Sequence, residues 1–248
     1  MPAESMPAES MPAESMLADW SGVRDRIEAL RRHPNHDRVF GANGHGFRLE
    51  PPLTSDDVAD VERALGVALP AGYRSFLTDV AAGGAGPFYG LFPLRRGACG
   101  WEWHGDGAEL TDRSRLGEPF PVERVPADVL SALHAIYPKA DDFETDEELD
   151  DALDEWDERV EALLYQPSMS VGAICLTDEG CAYRDWLIVS GPAAGTIWED
   201  PRCLDQDFKP IEPGRNFRDW FLDWLATSEH TVVSSQHKVA TESGHGAG

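Results

Sequence analysis

Residues 53–94 read LTSDDVADVERALGVALPAGYRSFLTDVAAGGAGPFYGLFPL. The order is helix, Leu-Pro break, second helix, glycine turn, strand. Thr54 is a good N-cap, and Asp57 three residues on can complete a capping box. Val58, Val61 and Leu65 follow on one helical face, and Gly66 suits the C-terminal stop. Pro70 opens a second helix, where its missing N–H costs nothing. Tyr73, Phe76, Leu77 and Val80 form that helix's apolar stripe. Gly83, Gly84 and Gly86 end it, and Phe88 to Leu94 reads as a strand. No group in this stretch is placed to do chemistry.

The flanking sequence reads in the same way. Leu17 to Arg32 predicts a first helix with Trp20, Ile27 and Leu30 along one side. A turn-rich loop, 41–46, and a short strand, Phe47–Leu49, lead into the quoted segment. Phe120 and Val122–Val125 read as an edge strand, and Ala127–Tyr137 as a short helix. The last third is β-rich. Ser170–Thr177 and Ala182–Ser190 are strand-like around a tight turn at 178–181, and Thr196–Trp198 is a third strand, so a meander is expected. Phe217, Trp220, Phe221, Trp224 and Leu225 predict a closing helix with a large aromatic face. The expected fold class is α+β: one domain with a mixed or largely antiparallel sheet packed by helices.

Several of these positions carry a resemblance. Leu65–Gly66, Leu69–Pro70, Tyr73, Phe76–Leu77 and the glycine turn with Gly90 resemble the signature of the SUKH superfamily, the Smi/Knr-type family. Gly180, Val189, Gly191, Gly195, Ile197, Trp198 and the closing helix resemble its C-terminal pattern. The resemblance covers about 53–94 and 170–226, with residues 95–169 between them as an insertion. It implies a binding protein rather than an enzyme. Many bacterial members are immunity proteins that neutralise a toxin, and the fungal founding members suggest a housekeeping scaffold or regulatory adaptor.

The domain is expected to span 16–227. Residues 1–15 are three copies of Met-Pro-Ala-Glu-Ser, with a proline in each and no apolar face, and are expected to be disordered. Residues 228–248 are polar and glycine-rich and are expected to fray.

Charge is the strongest bulk signal. The chain of 248 residues has 21 Lys and Arg against 45 Asp and Glu, a net −24. Such a field repels nucleic acid and anionic membrane and attracts basic partners; the alternative reading is that the acidic surface serves solubility alone. No apolar run reaches the length of a membrane span. The N-terminus lacks a basic segment followed by an apolar one, so it does not read as a secretory signal. Cys99, Cys175, Cys181 and Cys203 have no C-x-x-C spacing, which suits reduced thiols in a cytoplasm.

Half of the net charge falls in one place. Asp141 to Glu161 holds thirteen carboxylates and one base, Arg159. Leu149, Leu153, Trp156 and Val160 recur within it at helical spacing, so an amphipathic helix with an acidic outer face is expected. The outward positions are Asp146, Glu147, Asp150, Asp151, Asp154, Asp157, Glu158 and Glu161. These are the candidate partner-binding residues, and a basic protein such as a toxin domain is the partner they suit. Trp101 and Trp103, beside His104, either add to that surface or cover the sheet.

Catalytic and metal patterns are weak. His33-Pro-Asn-His36, with Asp37 and His45, places its imidazoles on a turn rather than on one helix face. Gly41–Gly46 lacks the strand before it and the Lys-Ser/Thr of a phosphate loop. Cys181 sits beside Asp178 and Glu179, whose field disfavours a thiolate. No EF-hand spacing and no Gly-x-Ser-x-Gly elbow occur. The expectation is no catalysis, no metal and no cofactor.

Overall fold

Val23, Ile27 and Leu30 lie a turn apart, and in the computed structural model they form the buried seam of α1 (Val23–Arg32). Residues 19–98 and 100–242 are described, and 235–242 as helical backbone only. The expectations for 1–15, Cys99 and 243–248 therefore lie outside the described residues. The helix starts later than the pattern from Leu17 predicts. Trp20 precedes it, and its indole is buried against Phe76, Phe217 and Phe221. The 41–46 loop contains a single helical turn, α2 (Ala42–His45), between Gly41 and Gly46 in left-handed conformations.

The signature segment folds as its sequence indicates. In α3 (Ser55–Leu65) the Thr54 hydroxyl accepts from the Asp57 N–H at 3.1 Å, and the Asp57 carboxylate accepts from the Thr54 N–H at 3.0 Å. Two of the four orphan donors at the helix start are thereby satisfied. Gly66 closes the helix at φ 68°. α4 (Ala71–Asp79) begins directly after Pro70 and buries Tyr73, Phe76 and Leu77. At Gly84 (φ 99°) a Cβ would stand 2.4 Å from the Arg48 carbonyl oxygen, so only glycine fits the turn.

The strand expected at 88–94 is displaced. Phe88 and Gly90 take positive φ and break the extension, so Leu91 makes only isolated bridges, to Gly84 and Thr177. Regular pairing begins at Leu94, where β1 (Leu94–Gly97) meets β2 (Gly100–Trp103) antiparallel. Likewise 120–125 forms no strand. Pro119, Pro121 and Pro126 deprive that segment of ladder donors, and of its bonds to the sheet the Phe120 N–H to Ser190 O, 3.0 Å, remains.

Then come α5 (Ala127–Ala135) and α6 (Asp146–Leu164). The main sheet follows as an antiparallel meander, β3 (Ala173–Gly180), β4 (Tyr183–Ile188), β5 (Ile197–Asp200) and β6 (Lys209–Pro210). The β3–β4 turn falls at Cys181–Ala182 rather than 178–181, because both residues adopt the positive φ that a two-residue hairpin loop needs. β3 carries two irregularities in register, at Cys175/Thr177 and Asp178/Gly180.

The closing helix, α7 (Phe217–Glu242), packs against α1 and α4 and buries Phe217, Trp220, Phe221 and Leu225. It runs well past residue 227, against the expected fraying of 228–248. Ser228 and Val232 are buried, Arg26 makes a two-pronged pair with Glu229, and Asn35 Nδ2 donates to Val232 O. Among the side chains described, the apolar contact that holds this extension is Val232, too sparse to show as a periodic stripe. The chain is thus one α+β domain whose sheets are antiparallel throughout the described residues.

Candidate protein-binding face

α6 is built from its N-terminus outward. Thr145 caps it, accepting from the Glu148 N–H at 3.2 Å while the Glu148 carboxylate accepts from the Thr145 N–H at 3.3 Å. Asp146, Glu147 and Glu148 occupy the first turn, where the helix dipole favours negative charge. Trp156, Val160 and Leu164 are buried at four-residue intervals, with Leu149, Leu153 and Leu163 half-buried beside them. Trp156, Val160 and Leu164 cluster with Leu133 of α5, with Leu163 packed against them, and the Trp156 indole donates to Leu133 O at 3.0 Å.

That seam fixes the helix's rotation. Asp146, Glu147, Asp150, Asp151, Asp154, Asp157, Glu158 and Glu161 are all exposed. The helix carries ten carboxylates and one guanidinium, Arg159, which lies 3.7 Å from Glu155. Like charges four apart, as at Asp150–Asp154 and Asp154–Glu158, each cost a few tenths of a kcal/mol.

The seam is a core of its own. Leu133, Trp156, Val160 and Leu164 form a cluster separate from the main one. Two arginines join this helical hairpin to the sheet. Arg202 holds Asp200 of β5 with two bonds of 2.7 Å, donates to Leu164 O at 3.3 Å, and stacks on Tyr165 and Phe208. Arg124 pairs with the buried Asp207 carboxylate and donates to Met169 O at 2.9 Å. Neither arginine was singled out from the sequence, where each reads as one more surface charge.

Trp101 and Trp103 do not belong to this face. Both are 6% exposed and sit in the main core. The Trp101 indole donates to Asp60 and the Trp103 indole to the Tyr73 hydroxyl, each at 2.9 Å. The iB pattern along β2 turns both rings inward, so their candidacy as partner-binding residues is withdrawn. Residues 95–116 thus join the main fold, and the part of 95–169 that stands apart is the α5–α6 hairpin.

The histidines do not converge. Nδ1 of His33 accepts from the Asn35 N–H, Nδ1 of His36 lies against His33 O, and Nδ1 of His45 accepts from the Phe47 N–H. Burial pulls the His45 pKa down to about 4. Among the described residues no group of three or more His, Cys, Asp and Glu could hold a metal ion. Nor is any helix among them long and apolar enough to cross a membrane. Burial raises the thiol pKa of Cys175 and of Cys203.

One acidic group escaped the sequence reading. Asp185, in the middle of β4, is buried, and its pKa is raised well above the usual range by burial and by the neighbouring Glu179. Glu179 is raised too, by burial first. Oδ1 of Asp185 has no hydrogen-bond partner, which agrees with a carboxyl group that burial holds toward its neutral form. Its neighbour across β5 is Glu199, which pairs with Lys209 at 3.1 Å. A lone Asp in Arg-Asp-Trp-Leu-Ile gives no sequence sign of being buried.

No family model matches this chain, and no curated protein or solved structure is significantly similar to it.

Proposed function

We propose that the protein is a non-catalytic binding module whose partner is a basic protein, engaged through the outer face of α6. The observation that carries the reading is the rotation of that helix: a buried Trp156–Val160–Leu164 seam leaves its ten carboxylates exposed to water on a hairpin held by Arg124 and Arg202. The resemblance to the SUKH superfamily gives the biological role, immunity to a polymorphic toxin of nuclease type. Nuclease-like domains carry basic substrate grooves, and a row of carboxylates can occupy such a groove as a phosphate backbone does. Charge complementarity of this kind speeds association and sets specificity more than total affinity. The mechanism is occlusion, and it needs no cofactor.

The test is a binding and inhibition screen against basic nuclease-toxin domains, with association rates followed from low to high salt. The expected partner is inhibited at one-to-one stoichiometry, and its association slows steeply with salt. Changing Asp150, Asp154 and Glu158 together to Asn, Asn and Gln leaves the fold intact and slows association. A partner that binds the triple variant at the same rate and with the same salt dependence makes the face a solvated surface.

A further inference from the structure

Beside the acidic face lies a cleft of about 410 Å³ with an aromatic floor and charged rim, between the end of α5 and the middle of α6. Trp156 forms its floor, and Tyr137 meets that ring edge-on at 4.9 Å. Ile136, Phe143 and Ala152 complete the apolar lining. Ile136 and Tyr137 are 52% and 49% exposed. Two large apolar side chains left half in water at one concave spot gain from being covered. The volume is within the range of small-ligand pockets and holds one large side chain with room to spare.

The rim itself is balanced in charge, Asp142 and Glu155 against Lys139 and Arg159, and the excess of carboxylates beside it belongs to the exposed face of α6. Asp142 and Glu155 border the cleft, and Glu148 lies one turn before Ala152 on the same side of α6. Of the two bases at the rim, Arg159 already lies beside Glu155 at 3.7 Å. A second copy of this chain would bring its own −24 against this rim and be repelled. Anionic lipid and nucleic acid are repelled for the same reason.

Resting on the reading of α6 as the partner face, we infer that this cleft receives one aliphatic or aromatic side chain of the partner. That side chain is carried on a cationic amphipathic segment, and the flanking Lys and Arg lie along Asp142, Glu148, Asp151 and Glu155. Carboxylates alone give fast arrival and fast departure. A buried apolar anchor supplies the residence time, because it is the desolvated centre of an interface that holds a partner.

Two labelled peptides of equal length and charge test this, one of alternating lysine and leucine turns and one with each leucine replaced by serine. Binding is measured by anisotropy at low salt. The leucine peptide is expected to bind about tenfold more tightly than the serine peptide. Ile136→Ser and Ala152→Gln each remove most of that difference and leave the serine peptide unaffected. Circular dichroism checks that both variants stay folded, and Ile136→Val, which keeps the apolar wall, retains the difference. Equal affinity for the two peptides overturns the cleft inference while the acidic face stands. Failure of both peptides to bind overturns the acidic face as well. A leucine preference that persists in both cleft variants places the anchor elsewhere and overturns the assignment.

Discussion

The indole Nε1 of Trp220 donates to Oδ2 of Asp185 at 3.1 Å, so α7 is tied to the middle of the sheet through a carboxyl group that is 1% exposed. Glu179 from β3 and Glu199 from β5 flank the same group and favour its protonated form. The folded chain therefore binds a proton here that the unfolded chain releases near 3.8, the ordinary carboxylate value. Between that value and the raised one, the folded state holds more protons, and stability falls as pH rises.

Asp185→Asn removes this dependence. Asparagine keeps an acceptor for Trp220 and offers its own N–H toward Glu179. The variant should match the original chain near pH 4 and become the more stable of the two as pH rises above that. Urea midpoints across pH measure this, and a variant that loses ground toward alkaline pH would refute it.

His45 works in the opposite direction. Its pKa falls from 6.5 to about 4 because the ring is buried against Phe47 and Trp224. The unfolded chain binds the extra proton in that window, so stability is complete above pH 6.5 and is lost as pH falls toward 4. The loss from this group is about 3 kcal/mol at most. His45→Asn keeps an acceptor for the Phe47 N–H and does not titrate there. Its stability deficit at pH 7 should shrink or reverse by pH 4, and a deficit constant with pH would show that His45 is not the group responsible.

The chain should not tolerate an end at residue 227. Such a truncation removes Val232 from the main core together with the Arg26–Glu229 pair and the Asn35 bond to Val232 O. The expected loss is about 2–3 kcal/mol, most of it from valine burial and the remainder from a half-exposed ion pair. Val232→Ala alone should cost about 1–2 kcal/mol. Thermal melts of both variants give the answer, and a truncated chain that melts with the full one would place the end of the fold at 227 after all.

Thr54→Ala should cost about 1 kcal/mol, because it removes the hydroxyl half of the α3 capping box and releases the Asp57 carboxylate from its partner. Thr54→Ser should restore most of it. Equal stability of the alanine and serine variants would show that the cap contributes nothing.

Where local chemistry decides the structure, the sequence was readable. Thr54, Gly66, Pro70 and the inward stripe of α4 act through neighbours within a turn, and each does in three dimensions what its residue type indicates. The rotation of α6 was readable for the same reason, since Trp156 and Val160 can face only one way. Distant partners were not readable. Trp101 and Trp103 become core because Asp60 and Tyr73, forty-one and thirty residues away, accept from their indoles. Asp185 becomes a buried acid because α7 lies over it. Arg124 becomes an anchor only once Asp207, eighty-three residues on, reaches it, and Arg202, whose partner Asp200 is local, becomes one only when Leu164 O and Tyr165 close against it. Prolines placed singly, as at 119, 121 and 126, cancelled a strand that apolar content alone suggested.

The separate core of the α5–α6 hairpin has a consequence for how such a protein can change. Its seam is filled by residues that touch one another rather than the sheet, and two arginines hold it in place. Substitutions on the outer side of α6 therefore reach neither the main core nor the joint. That surface can be redrawn residue by residue while the body of the fold stays an unaltered handle. The outer face of α6 and the foldability of the chain are inherited on different residues, and one can drift without endangering the other.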